Sequence, residues 1–357
     1  MGFRFLLFPF QWVYLFILTI KKLFFALGIK KRHSFDLPVI CVGNLCIGGS
    51  GKTPHTKYFA NLLLRNKFDV AILLRGYKRS TKGFIHCNKK HTLKEIGDEA
   101  YEYVHSVNRK IKIFVCKQRE KGIKRIINDF PETDVILMDD GFQHLKVKAG
   151  LNLLLTDYLN PFWKDFILPV GSLREHKSAK RRADIFIVSK TPKVFSPIIK
   201  RDIEEKINPA NYQNIAYSYI KYGEPKLVYK DSEYEGDYPE NIYSVFLLCG
   251  IANPYPLEEY LRRDAVEIIK YIYPDHHVYS ESDIDRLLYD FNRHLMKKKV
   301  IITTEKDVAR LMLPEIKEKL INLPLFYIPI SIGIHDDKMF NLENKIIEYV
   351  RENRKDS

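Results

Sequence analysis

Gly48-Gly-Ser-Gly-Lys-Thr53 follows an apolar, partly β-branched run that starts at Val39 and stops at Gly43, and it opens a helical pattern near Lys52. Strand, glycine-rich turn and helix in that order make a phosphate-binding loop. Glycines let backbone N–H groups close around phosphate oxygens, and the helix N-terminus adds its positive end. In such a loop Gly48, Gly49, Ser50, Gly51, Lys52 and Thr53 bind the nucleotide; Lys52 reaches the β/γ-phosphates and the Thr53 hydroxyl ligates Mg²⁺. The spacing departs from the commonest pattern, since Cys46 stands where a glycine is usual. The plainer alternative is a strand-to-helix turn carrying an incidental lysine.

Asp139-Asp140-Gly-Phe-Gln-His144 follows the apolar run Val135–Met138. Acids ending a strand in such a protein hold Mg²⁺ directly or through water. Adjacent carboxylates point in different directions, so only one need face the metal; His144 would orient a phosphate or a neighbouring carboxylate. A solvated polar turn is the alternative. Asp98 and Glu99 precede a helix over Tyr101–Ser106 and admit two readings. One is helix capping. The other is a general base that takes a proton from an attacking hydroxyl, with its neighbour near the metal. Arg75 ends a strand and Arg174 sits in the loop Leu168-Pro-Val-Gly-Ser-Leu-Arg-Glu175, where a guanidinium fork suits an anionic group. For His276 and His277 after Asp275, no other histidine lies at a helical ligand spacing, which argues against zinc. A histidine paired with a carboxylate, or a simple loop histidine, remains. Thr303-Thr-Glu-Lys-Asp307 has the polarity of a cleft lining.

The elements that must position these groups are short apolar runs alternating with helix-like stretches. Val70–Leu74, Ile111–Val115, Val135–Met138, Leu151–Leu155 and Asp184–Val188 read as strands, several apolar on both faces. That alternation predicts a parallel α/β sheet with its ligands at the carboxyl ends of the strands, so polar residues just after each run are the ones to examine. Ala216–Tyr222 and Lys226–Lys230 flank Gly223-Glu-Pro225 and predict a β-hairpin. Beyond it, Val245–Leu248, Val300–Thr303 and Leu325–Ile330 read as strands, Leu257–Arg263 and Ser280–Lys298 as helices, with a last helix from about Asn341. The expected organisation is an N-terminal segment (1–36), a P-loop domain (37–212), a two-stranded linker (213–235) and a smaller α/β domain (236–357).

A chain of 357 residues with 46% hydrophobic and 29% charged residues can bury a sizeable core, which excludes wholesale disorder. The net charge of +14 suits an anionic partner: nucleic acid, an acidic membrane face or a phosphorylated substrate. No RNA- or DNA-binding motif accompanies it, and no segment points to an obligate protein partner. Five scattered cysteines include no C-x-x-C pair, which favours a reducing compartment. Phe3 to Ile20 is almost continuously apolar and aromatic; Pro9 interrupts it, and Lys21-Lys22 and Lys30-Lys31-Arg32 follow. It reads as a membrane-seated anchor, a borderline span or a core helix, with the basic residues favouring the cytoplasmic leaflet in the first two.

Taken in order, Gly48–Pro54, Leu74-Arg-Gly-Tyr77, Gly97-Asp-Glu99, Asp139–His144, Leu168–Glu175, Cys249-Gly-Ile-Ala-Asn-Pro254, Pro274-Asp-His276 and Thr303–Asp307 resemble the tetraacyldisaccharide 4'-kinase family of lipid A biosynthesis. The resemblance implies two α/β/α domains, the larger P-loop-like, joined by a two-stranded β linker, with an apolar N-terminal helix. It implies transfer of the ATP γ-phosphoryl group to the 4'-hydroxyl of a tetraacyldisaccharide 1-phosphate, giving lipid IVA at the cytoplasmic face of the bacterial inner membrane. ATP and Mg²⁺ are the implied cofactors. Lys52 and Thr53 would bind nucleotide and metal, Asp98 would be the base supported by His276, and Glu99 with Asp139 or Asp140 would lie near the metal. Arg75, Arg174 and Asn253 would contact the substrate. Ala252 and Ala100 fall where the family often has glycine and proline. The competing reading is a P-loop ATPase or GTPase switch at the membrane with no small-molecule acceptor.

Overall fold

Strands form where the chain can send successive apolar side chains into two cores. The computed structural model describes residues 7–234, 236–275, 277–337 and 340–354. The strands are β1 (Val39–Asn44), β2 (Val70–Leu74), β3 (Ile85–Cys87), β4 (Lys112–Val115), β5 (Val135–Asp139), β6 (Leu151–Asp157) and β7 (Ile185–Ser189). There follow β8 (Asn214–Tyr222), β9 (Lys226–Leu227), β10 (Ser244–Cys249), β11 (Glu267–Ile272), β12 (Lys299–Thr304), β13 (Leu325–Ile328) and β14 (Ile330–Ile334). The helices are α1 (Phe8–Ala26), α2 (Lys52–Arg65), α3 (Leu93–Ile96), α4 (Asp98–Ser106), α5 (Arg119–Asp129) and α6 (Pro197–Ile207). The remaining ones are α7 (Tyr255–Leu261), α8 (Glu281–Arg293), α9 (Glu305–Leu311), α10 (Pro314–Leu320) and α11 (Leu342–Asn353).

The chain divides into two units, Met1–Ile220 with Ile332–Ser357, and Lys221–Ser331. The first holds a sheet in the order β14-β8-β7-β6-β1-β5-β2-β4-β3. Its strands from β8 to β4 run parallel, and β3 joins antiparallel. In β1, Ile40 and Val42 enter one core with Phe59, Leu63, Ile72 and Leu137, while Val39 and Cys41 enter the other with Leu73, Phe114 and Phe186. The two-residue period puts successive side chains on opposite faces, and helices cover both, so the run must be apolar throughout. The parallel arrangement brings the carboxyl ends of β1, β5, β2 and β6 to one edge.

The second unit holds a five-stranded sheet, β11-β10-β12-β13-β9, parallel except for β9. Asp307 is its buried polar hub. Its carboxylate accepts from Gly250 N (3.2 Å), Tyr279 OH (3.0 Å) and Thr304 Oγ1 (2.6 Å), and pairs with Arg310 (2.9 Å). The segment expected as a cleft lining therefore anchors the Gly250 turn within this unit.

Four expectations are corrected. The hairpin over 213–235 does not form: β8 pairs with β7, and β9 pairs with β13 in the other sheet. The chain instead leaves the first unit through β8 and returns through β14, its neighbour in the sheet. Second, the single strand expected over Leu325–Ile330 is split by Pro329, which lacks the N–H a continuous ladder needs, so its halves serve different sheets. Third, the boundary at 236–357 does not hold at its C-terminal end: Leu342, Ile346 and Val350 of α11 pack in the first unit's core, and Tyr349 donates to the Val39 carbonyl. Fourth, Pro9 does not interrupt the N-terminal helix. It lies in the first turn of α1, where a missing N–H costs nothing, and α1 runs on to Ala26.

Candidate active site

Gly51 takes a left-handed backbone (φ 82°) and caps α2, so Lys52 and Thr53 are its first helical residues. Gly48 is also in a positive-φ conformation (φ 111°), which glycine alone tolerates cheaply. The strand below the loop is pinned by close approach: a Cβ at Gly43 would lie 2.5 Å from that of Phe142, and Gln143 donates to the Asn44 carbonyl at 2.6 Å. Because β5 pairs with β1 in parallel, Val42 opposite Asp139, the acids ending β5 come to the same edge as the phosphate loop.

There Lys52 Nζ lies 3.5 Å from Asp140 Oδ1, and Thr53 Oγ1 lies 3.4 Å from Asp139 Oδ2. The two carboxylates differ in kind. Asp140 adopts φ 49° and is gripped by Arg174 Nη1 at 2.8 and 3.1 Å. Burial alone would raise its pKa, but Lys52 and Arg174 hold it below the usual carboxylate value. Asp139 is buried, and burial raises its pKa despite a 2.7 Å hydrogen bond from Tyr103 OH. Glu99 is pushed up to about 7, first by burial and then by the negative charges of Asp139, Asp140 and Asp98. Four acids share Lys52, Arg174 and Arg119, which leaves the site short of positive charge.

The two metal-related observations agree. Among the described residues no group of three or more His, Cys, Asp or Glu side chains is arranged to hold a metal by itself. Asp139 Oδ1 is buried with no hydrogen-bond partner among the described residues. Mg²⁺ takes one or two carboxylates and fills its other positions with waters and substrate phosphates. An orphaned carboxylate oxygen beside a hydroxyl, at the mouth of a phosphate loop, fits that ion.

Asp98 and Glu99 open α4 rather than precede it, with Gly97 as the cap. Gly97 has φ 85°, and a Cβ there would come within 2.6 Å of the Tyr77 carbonyl oxygen, so the turn that presents Asp98 is locked against the Arg75–Arg79 segment. Asp98 Oδ1 accepts from Glu99 N at 3.0 Å, so its position near a helix N-terminus serves the helix as well. Arg75 is exposed just past β2. His144 pairs with Glu120 at 2.9 Å, the carboxylate-orienting option. His277 pairs with Asp283 at 2.9 Å at the start of α8. Asn253 lies in the second unit, where its Oδ1 accepts from Tyr255 N at 3.1 Å at the start of α7. His276 lies outside the described residues.

Sequence reasoning missed several supports. Arg119, buried, donates to the carbonyls of Cys116 (2.8 Å) and Asp139 (3.2 Å) and so fixes the end of β5. Asn44 Nδ2 donates to Ser50 Oγ (2.9 Å) and Ser189 Oγ donates to the Ser50 carbonyl (2.8 Å). Asn44 and Ser189 end apolar strands, so the rule of examining such positions would have reached them. Tyr103 lies on the buried face of α4 among apolar neighbours, and nothing in its local sequence points to Asp139.

The loop carrying Arg174 also grips the phosphate loop. Arg174 N donates to the Leu45 carbonyl and Ile47 N to the Ser172 carbonyl, both at 2.7 Å. Against it rests α1, with Tyr14 OH on the Arg174 carbonyl (3.2 Å), Lys22 near Glu175 (3.6 Å) and Phe8 edge-on to Phe166. This helix is long and apolar enough to cross a membrane by length and composition. Phe10, Trp12 and Phe16 on it are each more than 60% exposed.

The sequence profile described as tetraacyldisaccharide-1-P 4'-kinase matches residues 3–348. A tetraacyldisaccharide 4'-kinase of Bacteroides thetaiotaomicron is 36% identical over 360 residues, covering 98% of this chain and 94% of that protein. One from Flavobacterium psychrophilum is 39% identical over 354 residues, covering 96% of each. The fold is shared with a crystal structure of the "apo" form of LpxK from Aquifex aeolicus in complex with ATP, at a TM-score of 0.71, 24% identity and coverage of 99% of this chain and 100% of that one. A phosphate loop facing paired acids, in a chain matched by this profile nearly end to end, belongs to the tetraacyldisaccharide-1-P 4'-kinase family, the ATP-dependent kinases of lipid A biosynthesis.

Proposed function

We propose that this chain transfers the ATP γ-phosphoryl group to the 4'-hydroxyl of a tetraacyldisaccharide 1-phosphate with the residues gathered at the edge of its larger sheet. The observation that carries the reading is the pair of contacts Lys52–Asp140 and Thr53–Asp139, which places a phosphate loop and two acids of different electrostatic character in one site. Lys52 and the N–H groups of the α2 N-terminus bind the β- and γ-phosphates. Thr53 and Asp139 would hold Mg²⁺, and Asp140 and Glu99 are the further carboxylates of that site. The ion, when bound, neutralises charge that builds on the phosphate oxygens. Asp98 takes the proton of the 4'-hydroxyl as its oxygen bonds to the γ-phosphorus and the bond to the ADP oxygen breaks, and His276 supports Asp98 in that role. Arg75, Arg174 and Asn253 contact the substrate; Arg174 also keeps Asp140 ionised and in place.

We further assign the reaction to the cytoplasmic face of the inner membrane. The support is α1, with aromatic residues exposed on one side and contacts to the Arg174 loop on the other. Its sequel of basic residues suits an anionic leaflet. The test is transfer of γ-³²P from ATP to purified tetraacyldisaccharide 1-phosphate in detergent. Labelled lipid is expected; release of free phosphate with no labelled lipid would refute the reading.

A further inference from the structure

His55 is a titratable group in the phosphate-loop helix that neither phosphate chemistry nor metal binding uses, and it is buried at 1% exposure. Its Nδ1 lies 2.7 Å from the Gly51 carbonyl oxygen and its Nε2 lies 2.8 Å from Ser218 Oγ on β8. The Gly51 oxygen can only accept, so Nδ1 carries the proton. Nε2 must then accept, and Ser218 donates to it. Both ring nitrogens are satisfied, and the tautomer is set by the phosphate loop itself.

This contact is one of three. Lys190 Nζ donates to the Gly49 carbonyl, Ser189 Oγ to the Ser50 carbonyl at 2.8 Å, and His55 to the Gly51 carbonyl. Three consecutive carbonyls of the loop are therefore each held by a side chain, two from the end of β7 and one from α2. In a planar trans peptide the C=O and the following N–H point in opposite directions. Holding the Gly51 oxygen toward His55 thus aims the Lys52 N–H away from the body of α2. The Gly51 oxygen also accepts from His55 N at 3.2 Å, and the ring adds a second, shorter hold on a glycine whose left-handed setting here (φ 82°) is one of several open to it. Through Ser218 the hold is tied to the sheet, and the tie extends further: Thr191 donates to the Ser218 carbonyl (3.0 Å) and its hydroxyl meets His335 Nε2 (2.8 Å), just past β14.

We propose that His55 is a positioning residue for nucleotide binding, holding the Gly51 carbonyl so that the phosphate loop presents its amides to the polyphosphate, with Ser218 as its anchor. The proposal rests on the ATP-dependent kinase reading. It extends that reading to a residue that touches neither the nucleotide nor the acceptor.

The test compares His55→Ala, His55→Asn and Ser218→Ala in the full-length enzyme, measuring KM for ATP, KM for the lipid acceptor in detergent, and thermal melting. Asparagine can keep the carbonyl contact, because Asn61 in this same helix and Asn66 at its C-cap each donate to the carbonyl four residues back at 2.9 Å. Loss of one buried hydrogen bond should raise KM for ATP in His55→Ala by ~5–10-fold. KM for the lipid acceptor should stay unchanged, and His55→Asn should recover most of the loss. Ser218→Ala should raise KM for ATP in the same direction, and adding it to His55→Ala should cost less than the two separate effects combined. Equal changes in both KM values, no rescue by asparagine, or unchanged ATP kinetics in His55→Ala would each overturn the proposal. An unmodified enzyme that labels no lipid would instead strike the kinase reading, which separates the two failures.

Discussion

Glu99→Gln should stabilise the nucleotide-binding unit, and by an amount that depends on pH. Glu99 shares its surroundings with Asp98, Asp139 and Asp140, and burial together with those charges raises its pKa from 4.5 to about 7. A carboxyl with a folded-state pKa above the unfolded value keeps its proton in the folded chain after the unfolded chain has lost it. The folded state then binds more protons, so stability falls as pH rises between about 4.5 and about 7, and the full cost is present above that window. The shift corresponds to at most about 3–4 kcal/mol. The side chain retains some solvent access and the acids titrate together, which reduces the expectation to about 1–2 kcal/mol. Glutamine has the same shape without the charge. In metal- and nucleotide-free buffer the variant should melt several degrees above the parent at pH 8.5, at about 2–4 °C per kcal/mol for a unit of this size. The gap should close toward pH 5. Thermal melts at both pH values decide it. A gap equal at the two pH values, or a variant that melts lower at pH 8.5, would refute the argument that like-charge crowding is stored at this site.

Other perturbations separate the roles of neighbouring groups. Asp98→Ala should lower single-turnover phosphoryl transfer at least ~100-fold with ATP binding retained, and near-normal turnover would remove Asp98 from the base role. Tyr103→Phe takes the 2.7 Å hydrogen bond from Asp139 and should raise the Mg²⁺ concentration for half-maximal activity by roughly tenfold; an unchanged Mg²⁺ titration would contradict the placement of the ion on Asp139. Deleting Met1 to Lys22 should leave ATP affinity intact while turnover of lipid in vesicles drops far more than turnover in detergent. Full activity on vesicles would show that α1 does not seat the enzyme.

Residues whose meaning is local were legible in the amino-acid order alone. The phosphate loop could be read because its function lies in backbone conformation and in the adjacent Lys52 and Thr53. The acids at 139–140 could be read because they close an apolar run at the carboxyl end of a strand, where a parallel sheet gathers its ligands. Both-face apolarity predicted the parallel sheet, since a strand covered by helices on each side has no polar face to show. The family resemblance was readable for the same reason, being an ordered set of short motifs.

Tertiary structure alone decided what depends on distant partners. That burial leaves Asp139 proton-prone although Tyr103 donates to it, while Lys52 and Arg174 keep Asp140 ionised, follows from β5 lying beside β1 and from the loop at 166–175 folding back on Leu45. The carbonyl clamp on Gly49, Ser50 and Gly51 draws on β7 and α2, separated in sequence by more than a hundred residues. The partition of the last strands was likewise undetermined locally: either half of the run around Pro329 could join a sheet, and which sheet each joined was set by the edges open to it. Helix α11 is amphipathic wherever it packs, and only the uncovered apolar face beside β1 and α2 brought it back to the first unit. Local chemistry is written in neighbouring residues, whereas pairings that cross the chain are chosen by which buried surfaces and hydrogen-bonding groups remain to be satisfied once the sheets have formed.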